Sequence, residues 1–277
     1  MKFLMANKFG IMQGRLLPKY KGRYQAHPLG YWQDEFILAK ELNLDLIEFI
    51  FDYDDYKLNP LMSLSGIENI QRVINETGVN VKTICADYFM EAPIHSEINS
   101  VSKKSLKVLK ELIKNSSLLG VTDIILPCVD HSRLLDSNDK NRLITHLKSL
   151  NDFLEKYRIN ISLETDLNPS EFLKLFKAVN STFVKINYDT GNSASLGYNL
   201  SEEFNSYGEF ISDIHIKDRL LSGGSVFFGK GNVDFDSFFK ELKKLKYDRP
   251  IIFQLYRDDE GVEIFKKQFE LFNKFNK

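Results

Sequence analysis

Cysteine is nearly absent: Cys85 and Cys128 are the two in 277 residues. That is too few for a disulfide framework, and the two lie too far apart in sequence to form a paired zinc motif. They are expected to be reduced core or pocket thiols rather than nucleophiles. An excess of positive charge is also missing, with 37 Lys and Arg against 38 Asp and Glu, so the electrostatic footprint of a nucleic-acid binder is absent and no nucleic-acid partner is expected. No run approaches the roughly 20 apolar residues of a membrane helix, and the opening MKFLMANKFG lacks the long apolar core of a secretory signal. These features predict a cytoplasmic protein without a membrane partner. There is also no Gly-, Pro- or Ser-rich linker and no low-complexity tract, which predicts one domain over residues 1–277.

What is present is alternation. Eight short apolar, β-branched runs recur along the chain: FGIMQGR, LDLIEFIFD, NVKTICADYF, DIILPCVD, NISLETD, VKINYDTGN, DIHIKDR and PIIFQLYRD. Segments of helical period separate them. One places Leu106, Leu109, Leu112 and Ile113 on a single face and should end by Gly120. The others are RLITHLKSLNDFLEKY, PSEFLKLFKAV, FDSFFKELKKL and EIFKKQFELFNKF. Strands that alternate with helices pair in parallel through right-handed crossovers. Eight such repeats, spaced about 34 residues apart, fit a single (β/α)8 TIM barrel better than an open sheet. In that fold the loops after the strands build the active site, and the first two, PKYKGRYQAHP and YDDYKLNP, are long and polar.

Polar residues gather at the C-terminal ends of the expected strands: Gln13 and Arg15, Glu48, Asp87, Glu164 and Asp166, Asn187 and Asp189, His215, Lys217 and Asp218, then Gln254 and Arg257. A barrel brings those ends to one cavity. Several carboxylates there require a cation, a proton or basic partners. Glu164, Asp189, His215 and Gln254, from four consecutive strands, offer a donor set suited to one divalent ion such as Mn2+, Mg2+, Co2+ or Zn2+. A metal-free layer in which Lys217 and Arg219 neutralise Glu164 and Asp189 satisfies the same requirement.

ISLETD, NYDTGN, DIHIKD and GKGNVDF together resemble the xylose isomerase-like barrel superfamily, in particular its sugar and sugar-phosphate isomerase/epimerase branch. The likeness runs from GIMQGR to the eighth strand. It implies a metal held by the glutamate, aspartate and histidine of strands 5, 6 and 7, here Glu164, Asp189 and His215, with Gln254 where relatives usually carry glutamate. It also implies proton abstraction from a small sugar or sugar phosphate by Glu164, through an enediolate. His215 should then point into the barrel while Ile214 and Ile216 face outward, with Lys217 on the His215 side.

Two departures qualify the resemblance. Gln254 cannot exchange a proton at neutral pH, which puts two-base epimerisation in doubt, yet its carbonyl oxygen can still bind a metal. Asn192 stands where many relatives have histidine and keeps the hydrogen bonding without the proton chemistry. Arg15, Glu48, Asp87, Asn192, Lys217 and Arg219 are the expected substrate contacts, Arg15 toward an anionic group and Glu48 toward a substrate hydroxyl or a pocket arginine. Asp218 and Arg219 are expected as a loop ion pair or an anion contact. GKGN reads as a turn leading into a helix capped by Asp234 or Asp236 rather than as a phosphate cradle. Tyr31 and Trp32 are expected to cover a ligand, close the barrel or meet a subunit. His27, His95, His131 and His146 are expected in surface or loop positions, His95 at the pocket rim.

Other readings remain open on these residues. A metal-dependent dehydratase of a keto-cyclitol or dehydroshikimate-like compound begins with the same proton abstraction, and a non-catalytic sugar-binding barrel would keep the pocket without turnover. An endonuclease IV-like repair enzyme is disfavoured, since the extra histidines of its three-metal cluster are missing here. The resemblance also allows a homo-oligomer.

Overall fold

In the computed structural model, residues 7–259 and 261–275 are described; the first six residues of MKFLMANKFG lie outside them. Eight parallel strands close a barrel: β1 Phe9–Met12, β2 Leu46–Ile50, β3 Thr83–Cys85, β4 Asp123–Cys128, β5 Asn160–Thr165, β6 Val184–Asp189, β7 Ile211–Ile216 and, after the short hairpin of β8 Asp218–Arg219 and β9 Ser225–Val226, β10 Ile251–Phe253. The order around the barrel is β1-β10-β7-β6-β5-β4-β3-β2, the (β/α)8 closure that the alternation predicts. Among the described residues, no helix is long and apolar enough to cross a membrane.

The two-residue period of each strand separates an outer from an inner set. Ile161, Leu163, Ile186, Tyr188, Ile214, Ile216, Ile251 and Phe253 belong to the large apolar layer shared with the helices. The alternate positions point inward. On one side of the barrel they form a small apolar cluster of Met12, Leu46, Ile50, Cys85 and Ile252. On the other side, β4 to β7 line the interior with Asp123, Ser162, Asn187 and Asp213, all buried. Ser162 donates or accepts across the barrel to Ser212 at 2.7 Å and also bonds Asp123 at 2.9 Å, so this polar half is internally connected.

A break in register between β6 and β7 sets up the mouth. Ile186 pairs with Ile211, but Asn187 pairs with Asp213, so β7 carries one extra residue at this step. Beyond this bulge Asp189 stands directly beside His215. The helices follow the sequence closely at Pro169–Val179, Phe235–Leu245 and Val262–Phe275. The 99–117 helix stops at Ser117, and Gly120 then turns the chain with φ +69°. RLITHLKSLNDFLEKY is two helices rather than one, Ser137–Ser149 and Asn151–Tyr157, because the chain breaks at Leu150.

Candidate active site at the barrel mouth

Glu164 is the last inward residue of β5, Asp189 closes β6 and His215 is the last inward residue of β7. Each offers a donor atom within 4.8 Å of the other two. All three are buried at the C-terminal rim. The two nitrogens of His215 are divided between two neighbourhoods. Nε2 lies 2.8 Å from Glu48 Oε1 and 3.4 Å from Asp213 Oδ2, both fully buried below it. Nδ1 faces the mouth, 3.9 Å from Asp189 Oδ2, and has no hydrogen-bond partner among the described residues. The Glu48 and Asp213 carboxylates lie on the Nε2 side, and Nδ1 is the nitrogen turned to the mouth, the arrangement that orients a ligating histidine.

Charge in this cluster is unevenly compensated. Burial, followed by the neighbouring Asp189 charge, pushes the Glu164 carboxyl up to about 7, against the opposing pull of His215 and Lys217. Burial and the adjacent Glu48 likewise push Asp213 up to about 7. Burial alone would lower the His215 imidazole, but Glu48 and Asp213 override it and raise it. Lys217 Nζ pairs with Asp189 Oδ2 at 2.8 Å, part of the metal-free neutralisation the sequence allows. Arg219 does not complete that layer: its Nη1 donates to Asn192 Oδ1 at 2.8 Å, and its Nε and Nη2 hold Gly223 O. The Asn192 amide in turn donates to Glu164 Oε1 at 2.5 Å. Because a guanidinium only donates, Arg219 fixes which end of Asn192 reaches Glu164.

Gln254, just past β10, has Oε1 buried without a hydrogen-bond partner among the described residues, while its Nε2 donates to Gln25 Oε1 at 2.5 Å. Two oxygen-bearing carboxylates, one unpartnered imidazole nitrogen and one unpartnered amide oxygen at a single rim form a donor set that fits a hard or borderline divalent ion. Glu164, Asp189, His215 Nδ1 and Gln254 Oε1 are the atoms that would hold it.

The other expected contacts take varied places. Arg15 and Asp87 line an open cleft of about 740 Å³ with Arg23, Tyr24, Gln25, Asp52 and Tyr53. Burial brings the Arg15 guanidinium down to about 10. Its Nη1 and Nη2 donate to Leu255 O and Gln25 Oε1. Glu48, expected toward a substrate hydroxyl or a pocket arginine, is fully buried beneath His215. Asp218 forms no ion pair with Arg219. Its carboxylate accepts the backbone N–H groups of Gly229, Gly231 and Val233, so the Gly-x-Gly turn is spent on a protein carboxylate. Asp234 caps the following helix by accepting from Ser237 N, as the turn reading expects.

Two histidines are buried rather than superficial. His27 packs on Trp32 and Phe49 and bonds Gln13 Oε1 at 3.1 Å. His95 is buried, its backbone carbonyl accepting from Arg142 Nε at 2.7 Å, and it is not among the residues that line the cleft. Trp32 is buried against Phe36 and Phe49. Gln25 and Asp213 are the participants that sequence reasoning misses. Asp213 carried the right signal, an acidic residue two positions before His215 on an inward phase. Gln25 sits in a loop without period, so nothing in the sequence marks it.

A family model described as xylose isomerase-like TIM barrel matches residues 36–275. The L-ribulose-5-phosphate 3-epimerase UlaE of Salmonella heidelberg (strain SL476) is 25% identical over 235 residues, 82% of this chain and 83% of that protein. Among solved structures, the IOLI protein with a binding zinc atom superposes with a TM-score of 0.76 at 17% identity, covering 97% of this chain and 99% of that one. The 3-keto-D-glucoside 4-epimerase YcjR from E. coli gives 0.75 at 17% identity with the same coverage. The chain therefore belongs to the xylose isomerase-like TIM barrel family.

Proposed function

We propose that the barrel mouth is a divalent-metal-dependent isomerase or epimerase site that moves a proton beside the carbonyl of a small sugar or sugar phosphate, with Glu164 as the proton-transferring base. The observation that carries this reading is the convergence of Glu164, Asp189 and His215 on one point, with His215 Nδ1 and Gln254 Oε1 left unpartnered. When bound, the ion supplies positive charge that polarises a carbonyl and acidifies the adjacent C–H. The curated relatives, sugar phosphate 3-epimerases by name, support the substrate class.

The side chains have distinct tasks. Glu164 stands at the rim beside Asp189 and His215, where a carboxylate can accept and return a proton. Asn192 and Arg219 hold one of its oxygens in place. Lys217 is placed beside Asp189 to donate to a substrate oxygen. Arg15 and Asp87 border the cleft that would take the remainder of the sugar. Gln254 lacks a titratable group, so the β10 side of the site offers binding without a second base. This asymmetry favours exchange between ketose and aldose on one face, and it keeps dehydration open as a second outcome of the same abstraction.

Incubation with Mn2+ and a panel of pentose and hexose sugars and their phosphates in deuterated water tests the reading. Deuterium should enter the carbon beside the carbonyl of at least one member, and Glu164→Gln should slow that entry about 10²–10⁴-fold. An ultraviolet-absorbing enone would mark the dehydratase. Metal uptake with no deuterium in any sugar would mark a binding protein and overturn the enzymatic reading.

A further inference from the structure

We infer that Arg15 and Gln25 are positioning residues that fix which way the Gln254 amide points, so that its oxygen rather than its NH2 faces the Glu164, Asp189 and His215 cluster. The inference rests on the proposed metal-dependent function. An amide can be turned end for end with little change of shape, and in a metal site the two ends are opposites: oxygen attracts a cation and NH2 repels it. Something must therefore choose.

The choice is made outside the cluster. Gln25 Oε1 lies 3.0 Å from Arg15 Nη2 and 2.5 Å from Gln254 Nε2. A guanidinium has donors only, so the end of Gln25 that meets Arg15 must be the oxygen. That oxygen can only accept, so the end of Gln254 that meets it must be NH2. What remains of Gln254 is Oε1, buried and unpartnered. Gln25 is pinned from its other end as well, since its Nε2 donates to Asp87 Oδ2 at 3.1 Å. Turning Gln25 over would set oxygen against carboxylate and NH2 against guanidinium, two repulsions at once.

Arg15 is itself braced. The backbone N–H groups on either side of it, Gly14 and Leu16, donate to the two oxygens of buried Glu35 at 2.7 and 2.9 Å. Arg257 Nε holds the Arg15 carbonyl at 2.8 Å, and Arg15 Nη1 holds Leu255 O. The relay thus joins the loop after β1, the end of β3 and the segment after β10, residues up to 242 positions apart in the chain. A glutamate at position 254 would place a carboxylate oxygen against Gln25 Oε1, which cannot turn away. The loop and the strand end are matched to a neutral fourth donor.

Mn2+ binding to the full chain, read by electron paramagnetic resonance of free Mn2+, tests the relay without recourse to turnover. Gln25→Leu should weaken binding about tenfold or more. The paired exchange Gln25→Glu with Asp87→Asn should stay within about threefold of wild type, because the carboxylate accepts from Arg15 and Gln254 while the amide at position 87 donates back to it. Equal affinity in Gln25→Leu and wild type, or equal loss in both variants, overturns the proposal. A second measurement needs no metal: the side-chain 15N–1H resonances of Gln254, assigned by their disappearance in Gln254→Leu, should shift in Gln25→Leu and hold in the paired exchange Gln25→Glu with Asp87→Asn. Resonances that do not move in Gln25→Leu overturn the relay even where Mn2+ binds. If wild type takes up no Mn2+, the functional reading fails, and these resonances alone decide the relay.

Discussion

At the scale of single residues, placement inside the barrel turns ordinary side chains into specialised ones. His215 is legible in DIHIKDR because an imidazole between isoleucines on an inward phase has few bland explanations. The geometry adds what the run cannot show, that Glu48 sits on the far nitrogen. His27 was not legible. In KGRYQAHP it looks like a loop histidine, yet the loop folds back and buries it against Phe49 and Trp32. Burial brings its imidazole down to about 3. Between about pH 6.5 and 3 the unfolded chain therefore carries a proton on His27 that the folded chain does not, and stability falls as pH drops through that window. Measured by urea unfolding at pH 6, 5 and 4, wild type should lose about 1.4 kcal/mol per pH unit relative to His27→Gln, in which this group does not titrate. Parallel pH profiles for the two proteins would show that His27 is not held neutral in the fold.

At the scale of elements, the strand ends were readable because period-two alternation and polar residues coincide at Glu164, Asp189 and His215. The bulge between β6 and β7 was not readable, since an extra residue in one strand leaves the composition of the run unchanged and shows only in the pairing. The segment after β7 was half readable. GKGN does form a turn, but its N–H groups close on Asp218, which sequence proximity had suggested as a partner for Arg219. That closure is tight at Gly231, where an added Cβ would come to 2.1 Å from Asp218 Oδ1 and 2.6 Å from Arg219 O. Gly231→Ala should cost about 1–3 kcal/mol, from overpacking and the strained Asp218 bonds. Chemical denaturation measures the loss, and limited proteolysis should cut the 227–233 turn faster than in wild type. Wild-type stability with an intact turn would mean that the Asp218 cradle contributes little.

At the scale of the whole molecule, the (β/α)8 closure converts eight unremarkable runs into one rim, and the four donors come from four different strand ends that only closure brings together. The fold was legible because alternation of strand and helix over eight repeats leaves few topologies. The expected ligands were legible in part through resemblance. The support behind them was not, because Gln25, Arg15 and Asp87 meet through loops whose contacts no sequence period encodes. The same polar rim also contains Lys217 on Asp189, so the molecule poses a direct contest between an ammonium and a divalent ion for one carboxylate.

Anomalous diffraction from Mn2+-soaked crystals decides that contest and with it the central claim. A metal-dependent site gives a peak about 2.0–2.6 Å from carboxylate oxygens of Glu164 and Asp189, from His215 Nδ1 and from Gln254 Oε1. A mouth without such a peak, with Lys217 still seated on Asp189 and His215 Nδ1 still unpartnered, would contradict it.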